Sequence, residues 1–266
     1  NTTNNNNAFG FQALASNTTG YQNSAFGHRS LNNNTIGSAN SAFGYQALIS
    51  NTTGNNNTAV VTQAAYNNTT GIQSVYVGHQ AGYTGTTASS TTAVGYQTLY
   101  NNTVTINTGV GYQAGYSNST GDTNAYFGYL AGYGVTTASQ VLYLGAYSGP
   151  DTSTTSTGNR NVGVGYSTLT KTTSGSGNVA VGGNALRVNT TGSNNIAVGD
   201  QAFYNNTTAS NNTAIGHQAA FSNTTGTRTV AVGKNSLYSN TTGTNNTGIG
   251  SYTLTSITTG GYNTAV

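Results

Sequence analysis

The stretch Asn189-Thr-Thr-Gly-Ser-Asn-Asn-Ile-Ala-Val-Gly-Asp-Gln-Ala-Phe-Tyr-Asn205 decides the fold, because versions of it recur along the whole sequence. We number each copy from the glycine that ends its Ala-Val-Gly-like core, here Gly199, and call it the reference glycine. Copies are 17 residues apart, except for one step of 16 and one of 20. A fixed register indicates a repeat protein and not a disordered low-complexity chain. The reference positions are Gly10, Gly27, Gly44, Val61, Gly78, Gly95, Gly111, Gly128, Gly145, Gly165, Gly182, Gly199, Gly216, Gly233 and Gly250.

Three apolar columns follow this register. The residue before the reference glycine is apolar in every copy, and a weaker column two residues earlier includes Ile196. Alternate residues of a strand share one face, so we predict a short strand ending at the glycine, with Ile196 and Val198 pointing inward. A third column, four residues after the glycine, includes Phe203 and predicts a second short strand or a bend with Phe203 in the interior.

Turn cassettes of the type Asn-Thr-Thr-Gly separate the copies. Glycine adopts positive φ without strain, so Gly192 and Gly199 are predicted corners. A copy this small must stack on its neighbours to bury apolar surface. We therefore predict an all-β fold: a parallel β-solenoid (β-roll) of about 16 coils with a 17-residue repeat. Residues 1–266 are predicted to form a single repeat domain, one continuous solenoid, with an irregular coil at 146–165.

The composition excludes several classes of protein. Only 3% of the residues are charged, whereas soluble domains average about 25%. The net charge of +3 is not clustered, so nucleic-acid binding is not expected. Cysteine is absent, which excludes disulfides and thiolate sites. The sequence contains no run of 18 apolar residues, so membrane insertion is not expected. In stacked coils, a charged residue repeated in every copy would lie about 4.8 Å from the same charge in the next coil and would be repelled by it. Ladders of uncharged Asn and Thr are therefore expected instead.

The motifs resemble a known family. Asn178-Val-Ala-Val-Gly182, Asn195-Ile-Ala-Val-Gly199 and Thr229-Val-Ala-Val-Gly233 resemble the Val-Ala-Ile-Gly core of the head repeats of trimeric autotransporter adhesins, and of related repeats in phage tail fibres. The resemblance implies a left-handed parallel β-roll, side-by-side association of three chains and a surface used for attachment. The 17-residue period departs from the family, whose head repeats are mostly shorter.

No reaction centre is evident. His28, His79 and His217 follow the reference glycine in a column that is otherwise often aromatic, and they are at least three coils apart, so they are interpreted as aromatic surface substitutes. The three aspartates fall in different columns and form no cation cage. We predict no catalytic residues, no cofactor and no metal, and that the chain is not an enzyme.

A second aromatic column lies five residues after the reference glycine. Such a tyrosine row either packs on itself, forms a seam between chains, or stacks on a ligand such as a sugar. The candidate residues are Tyr66, Tyr83, Tyr100, Tyr116, Tyr133, Tyr204 and Tyr238.

Glycosylation sequons, Asn-x-Ser/Thr, recur at the turn cassettes. The corners are expected to be exposed, where a glycan has room and would help to solubilise a nearly uncharged protein. The candidate glycosylation sites are Asn17, Asn51, Asn68, Asn118, Asn189, Asn206, Asn223 and Asn240.

Together these features predict a structural and adhesive subunit of a fibre, extracellular or on a cell or virion surface. It would self-assemble through stacked coils, with chains associating laterally, end to end, or both. The expected partners are copies of the chain itself, and glycans or a host surface. Two alternatives remain open: a receptor- or carbohydrate-binding segment of a phage tail fibre, and an ice-binding solenoid with regular Thr rows.

Overall fold

The computed structural model describes residues 5–266, and the chain divides into two compact units, Asn1–Leu130 and Ala131–Val266. Each unit contains eight short strands, one per coil, and the described residues contain no helix. The first unit contains β1 (Asn7–Phe9), β2 (Ser24–Phe26), β3 (Ser41–Phe43), β4 (Thr58–Val60), β5 (Val75–Val77), β6 (Thr92–Val94), β7 (Thr108–Val110) and β8 (Ala125–Phe127). The second contains β9 (Leu142–Leu144), β10 (Val162–Val164), β11 (Val179–Val181), β12 (Ile196–Val198), β13 (Thr213–Ile215), β14 (Val230–Val232), β15 (Thr247–Ile249) and β16 (Thr264–Ala265).

Consecutive strands within each unit pair in parallel and in register. Ile196 of β12, for example, is opposite Thr213 of β13, which is the equivalent residue one coil later. The longest step keeps the same alignment, with Leu142 opposite Val162, so the extra residues lie outside the sheet. The predicted all-β fold, a parallel β-solenoid with a 17-residue repeat, is confirmed.

The chain turns sharply at the reference glycine. Gly199 has φ of 133°, and a Cβ atom placed there would lie 2.5 Å from the carbonyl oxygen of Gly216 in the next coil. Gln201 and Phe203 then adopt left-handed φ values of 55° and 50°. These angles are incompatible with a strand. The segment after the glycine is therefore the predicted bend, and each coil carries one strand.

The interior lies on the opposite face of the strand from the one predicted. Ala197, the middle residue of β12, is fully buried, whereas Ile196 is 42% exposed and Val198 is half-buried. The prediction that Ile196 and Val198 point inward is wrong. Phe203 is fully buried, as predicted. Large residues of the Phe203 column and buried asparagines fill the coil, which leaves room for only a small inward side chain from most strands.

Three coils reverse this distribution of volume. Their inward strand residue is tyrosine, at Tyr76, Tyr126 and Tyr143, and each has glycine four residues after its reference glycine. A Cβ atom at Gly149 would lie 2.5 Å from the ring of Tyr143. In these coils a tyrosine on the strand and a glycine at the bend take the places of the usual alanine on the strand and leucine at the bend. Close packing of the core is therefore preserved.

The irregular coil keeps its backbone pairing on both sides of the inserted residues. The amide of Gly149 donates to the carbonyl of Thr168 at 2.8 Å, and the amide of Asp151 donates to Thr170 at 3.1 Å. After the insertion, the amide of Ser156 donates to the carbonyl of Gly134 at 2.9 Å. The three extra residues therefore lie between Asp151 and Ser156.

Candidate functional surfaces

The predicted glycosylation sites form a ladder inside the coils. Asn51 donates from Nδ2 to Oδ1 of Asn34 at 2.7 Å and to the carbonyl of Gly54 at 3.1 Å. Asn17, at the start of this ladder, is half-buried and accepts a hydrogen bond from Asn34 at 2.9 Å. The other seven candidates are buried: Asn51, Asn68, Asn118, Asn189, Asn206, Asn223 and Asn240. The prediction that these residues lie at exposed corners is wrong, because their amides are used to join neighbouring coils.

A glycan on one of these buried amides would have no space and would displace its ladder hydrogen bonds. Other sequons begin at asparagines that are exposed, namely Asn33, Asn56 and Asn211. The fold therefore separates sequons whose asparagine is a structural residue from sequons whose asparagine is accessible to a modifying enzyme.

The predicted tyrosine column is a stack of half-buried rings. Tyr83 lies between Tyr66 and Tyr100, with 5.0 Å between ring centroids on both sides and interplanar angles of 13° and 4°. Tyr116 continues this stack at 5.1 Å from Tyr100. Because the ring faces are covered by neighbouring rings, the column presents ring edges and hydroxyl groups to solvent.

The second unit contains a shorter stack of the same kind, with three rings. Phe221 lies between Tyr204 and Tyr238, with 5.3 Å between centroids on both sides. Tyr133 is half-buried in the same unit. Stacking at this distance favours packing within the chain, and edges remain available for a seam between chains.

The column directly after the reference glycine forms a more exposed aromatic stack. His28 lies between Phe11 and Tyr45, at centroid distances of 5.4 and 5.3 Å. His79 stacks on Tyr96 at 5.3 Å. Both histidines thus take the place of an aromatic ring in the column, as the sequence indicates.

The outward face of the sheet carries a row of exposed apolar residues. Residues one and three positions before the reference glycine point away from the core, and none of them is charged. In the first unit this face includes Phe26 and Phe43, both 40% exposed and stacked at 5.1 Å. In the second unit it includes Ile196, Ile215 and Ile249, which are 41–42% exposed. In-register pairing places equivalent apolar side chains directly beside one another.

The threonine rows are partly used by the fold. Thr190 donates from Oγ1 to the carbonyl of Thr207 in the next coil at 2.9 Å, and equivalent hydrogen bonds recur in both units. The following residue, Thr191, is exposed, as is Thr208. Most coils of this kind therefore present the second threonine of the cassette to solvent, although Thr53 is half-buried.

The described residues, 5–266, contain no group of three or more His, Asp or Glu side chains placed to hold a metal ion. Asp200 and His217 approach each other at 3.8 Å on the surface. Across the same residues, no helix is long and apolar enough to span a membrane.

Comparison with known proteins adds no family assignment. No protein-family model and no curated protein sequence matches this chain. The resemblance to adhesin head and tail-fibre repeats therefore stays a prediction from the sequence.

Proposed function

We propose that this chain is a structural subunit of an extracellular or surface fibre, and that copies of it associate side by side through the outward face of the sheet. The observation that carries the proposal is that this face is uncharged in both units and that its column directly before the reference glycine is apolar in every coil. Contiguous apolar surface of this kind is typical of protein interaction sites.

A second copy of the chain is the occupant that suits this face. The side chains repeat at the strand spacing of about 4.8 Å, so a partner with the same spacing can interdigitate along its length. No charge lies on the face, so burying it removes no ion from water. Each buried methylene contributes about 0.8 kcal/mol, and the contribution accumulates coil by coil.

An adhesive role is the second part of the proposal. The aromatic columns stand on segments other than the sheet and keep edges and hydroxyl groups accessible. Tyrosine combines an apolar ring with a hydrogen-bonding group, which suits contact with a glycan-covered surface. Association through the sheet would leave these columns uncovered for attachment.

The experiment is to place a charge on the sheet face. Ile215→Lys introduces an ammonium group on an exposed residue of this face, and it should weaken side-by-side association without unfolding the chain. Mass measured by analytical ultracentrifugation over a range of concentrations should shift from oligomer to monomer. Thr208→Lys adds the same charge at an exposed corner and is the matched control, which should leave the mass unchanged. A parent chain that stays monomeric at high concentration would refute the proposal.

A further inference from the structure

A cavity of about 190 Å³ lies beside the irregular coil in the second unit. Its position coincides with an interruption of the tyrosine column. Five residues after the reference glycine, three successive coils carry Pro150, Thr170 and Arg187, whereas Tyr204 resumes the column in the next coil. Smaller or more flexible side chains replace rings at these places and open the cavity. Its lining residues are Tyr147, Asp151, Tyr166, Ser167, Thr170 and Arg187.

Charge is concentrated at this cavity. The whole sequence has six Lys and Arg and three Asp, yet Asp151, Lys171 and Arg187 all lie in or next to it. Asp151 pairs with Lys171 at 2.6 Å and accepts hydrogen bonds from the amide and hydroxyl of Ser153 at 3.0 and 2.8 Å. Burial opposes ionisation of Asp151, but the hydrogen bonds from Lys171 and Ser153 outweigh it and lower its pKa. The carboxylate is thus fixed and ionised, and it neutralises Lys171.

Arg187 is left with an uncompensated charge. Its Nη1 donates to the hydroxyl of Tyr204 at 2.6 Å, and its guanidinium lies 5.6 Å from the centroid of that ring. Its Nε is buried and has no hydrogen-bond partner among the described residues. No carboxylate within residues 5–266 forms an ion pair with it. A half-buried guanidinium held in this way favours an anion, and a planar carboxylate can accept two parallel hydrogen bonds from such a fork of N–H donors.

The walls of the cavity combine aromatic faces with hydroxyl groups. Tyr147 and Tyr166 meet edge to face, with centroids 5.8 Å apart at 81°, so this contact covers at most one face of one of the two rings. Tyr166 belongs to the exposed column directly after the reference glycine and is 57% exposed, compared with 42–47% for Tyr45, Tyr96, Tyr112 and Tyr129. Ser167 and Thr170 are buried at the base. One apolar wall surrounded by hydrogen-bonding groups suits a sugar ring, which has an apolar face and a rim of hydroxyls.

We propose that this cavity binds a single carboxylate-bearing sugar unit, such as the terminal residue of an acidic glycan. The sugar ring lies against Tyr166, its carboxylate pairs with Arg187, and its hydroxyl groups bond to Asp151 and to the hydroxyls at the base. The volume is below the range of about 300–1,000 Å³ that is typical of drug-sized ligands, so one ring is enclosed and the rest of the glycan stays in solvent.

This inference goes beyond the proposed self-association and does not depend on it. The residues of the cavity belong to the turns after the reference glycine and to the irregular coil, whereas association uses the strand residues before the glycine. A chain that stays monomeric can still bind the sugar, and a chain that associates can fail to bind it.

The test is glycan binding by the complete chain. Glycans ending in glucuronic, galacturonic or N-acetylneuraminic acid are immobilised beside neutral counterparts that lack the carboxylate. We expect binding to at least one acidic glycan and a preference of tenfold or more over its neutral counterpart. Arg187→Gln should weaken that binding at least tenfold, and Tyr166→Ala should do the same. Arg228→Gln removes an exposed arginine elsewhere in the unit and should have no effect.

Retained circular dichroism and melting temperature in Arg187→Gln separate loss of the site from loss of the fold. If this variant unfolds, Tyr166→Ala decides the result, because its ring is largely exposed and its removal leaves no cavity in the core. The proposal is overturned by the absence of binding to every acidic glycan, by equal binding to the neutral counterparts, or by binding that persists in both variants.

Discussion

Asn51 donates its side-chain amide to Oδ1 of Asn34 at 2.7 Å, and both side chains are fully buried. The same atoms recur one coil later, where Asn68 donates to Oδ1 of Asn51 at 2.9 Å. Asn51 therefore acts as donor toward one neighbour and acceptor toward the other. An ionised carboxylate can only accept, which explains why no Asp occupies these buried positions. The ladder joins coils that have little apolar volume to bury.

Asn51→Asp should destabilise the chain strongly, because it removes the donor while keeping the volume. The new carboxylate would face Oδ1 of Asn34 and the carbonyl of Gly54, both acceptors, in a buried site. An uncompensated buried charge costs about 3–5 kcal/mol, so the urea midpoint should fall clearly at pH 7. The loss should be smaller at pH 4, where a protonated carboxyl group can donate. Asn33→Asp, at an exposed neighbour, is the control. Equal midpoints for the two variants would show that the ladder contributes nothing.

The sequence was sufficient for the period, the strand position and the register. These depend on one recurring pattern, and a parallel stack of equal coils is the only arrangement that buries it repeatedly. The face of the strand was not predictable in the same way. Apolar residues occur on the outward face, at Ile196 and Val198, while the inward residue, Ala197, is small and carries little pattern. Hydrophobic periodicity alone therefore selected the wrong side.

A signal for the correct face was nevertheless present. Coils with tyrosine at the inward position have glycine four residues after the reference glycine, as Tyr76 with Gly82 shows. Such complementary volumes indicate two columns that share one interior. The cavity near Arg187 had a comparable signal, namely the loss of tyrosine from its column. The burial of Asn51 had no such signal, because asparagine is equally common in exposed turns.

Val61→Gly should stabilise the chain. Val61 occupies a reference position and adopts φ of 89°, which is unfavourable for a β-branched residue. Relief of such strain is worth about 1–3 kcal/mol, against a cost of about 0.5–1 kcal/mol for the added flexibility of glycine. We expect a net gain of about 1 kcal/mol in urea unfolding. The reverse change in the next coil, Gly78→Val, should destabilise by more than the gain. A lower midpoint for Val61→Gly would contradict this account of the corner.

Sequon use should follow burial and not sequence. If the chain is produced in a host that attaches N-linked glycans, we expect folded protein to carry them only where the asparagine is exposed, as at Asn33, Asn56 or Asn211. Asn51 and Asn189 should be unmodified, because a glycan on Nδ2 breaks the ladder. Peptide mass spectrometry of the folded fraction measures occupancy at each site. Substantial occupancy at Asn51 in folded protein would show that the ladder opens.

Stability should be nearly constant between about pH 5 and 9 and should fall in strong alkali. Burial raises the pKa of Tyr143 and of Tyr76 above the ordinary value of 10.0, so both phenols stay neutral in the folded chain. The unfolded chain ionises them from about pH 10 upward, which favours unfolding. Their contribution is thus complete below pH 10 and is lost as the pH rises beyond it. In acid, the lowered pKa of Asp151 means that its ionised form stabilises the folded chain. This contribution to the free energy of unfolding is complete above about pH 4 and is lost as the pH falls below it.

Tyr143→Phe isolates this effect. Each buried tyrosine adds up to about 1.4 kcal/mol per pH unit to the alkaline loss, so the variant should show a shallower fall above pH 10. The comparison uses the slope, because removal of the buried hydroxyl group also changes the free energy of unfolding at every pH. Tyr166→Phe, at an exposed ring, should keep the parent slope. Urea midpoints from pH 7 to 12 provide the measurement, and identical slopes for Tyr143→Phe and the parent would mean that the ring is not buried as the core requires.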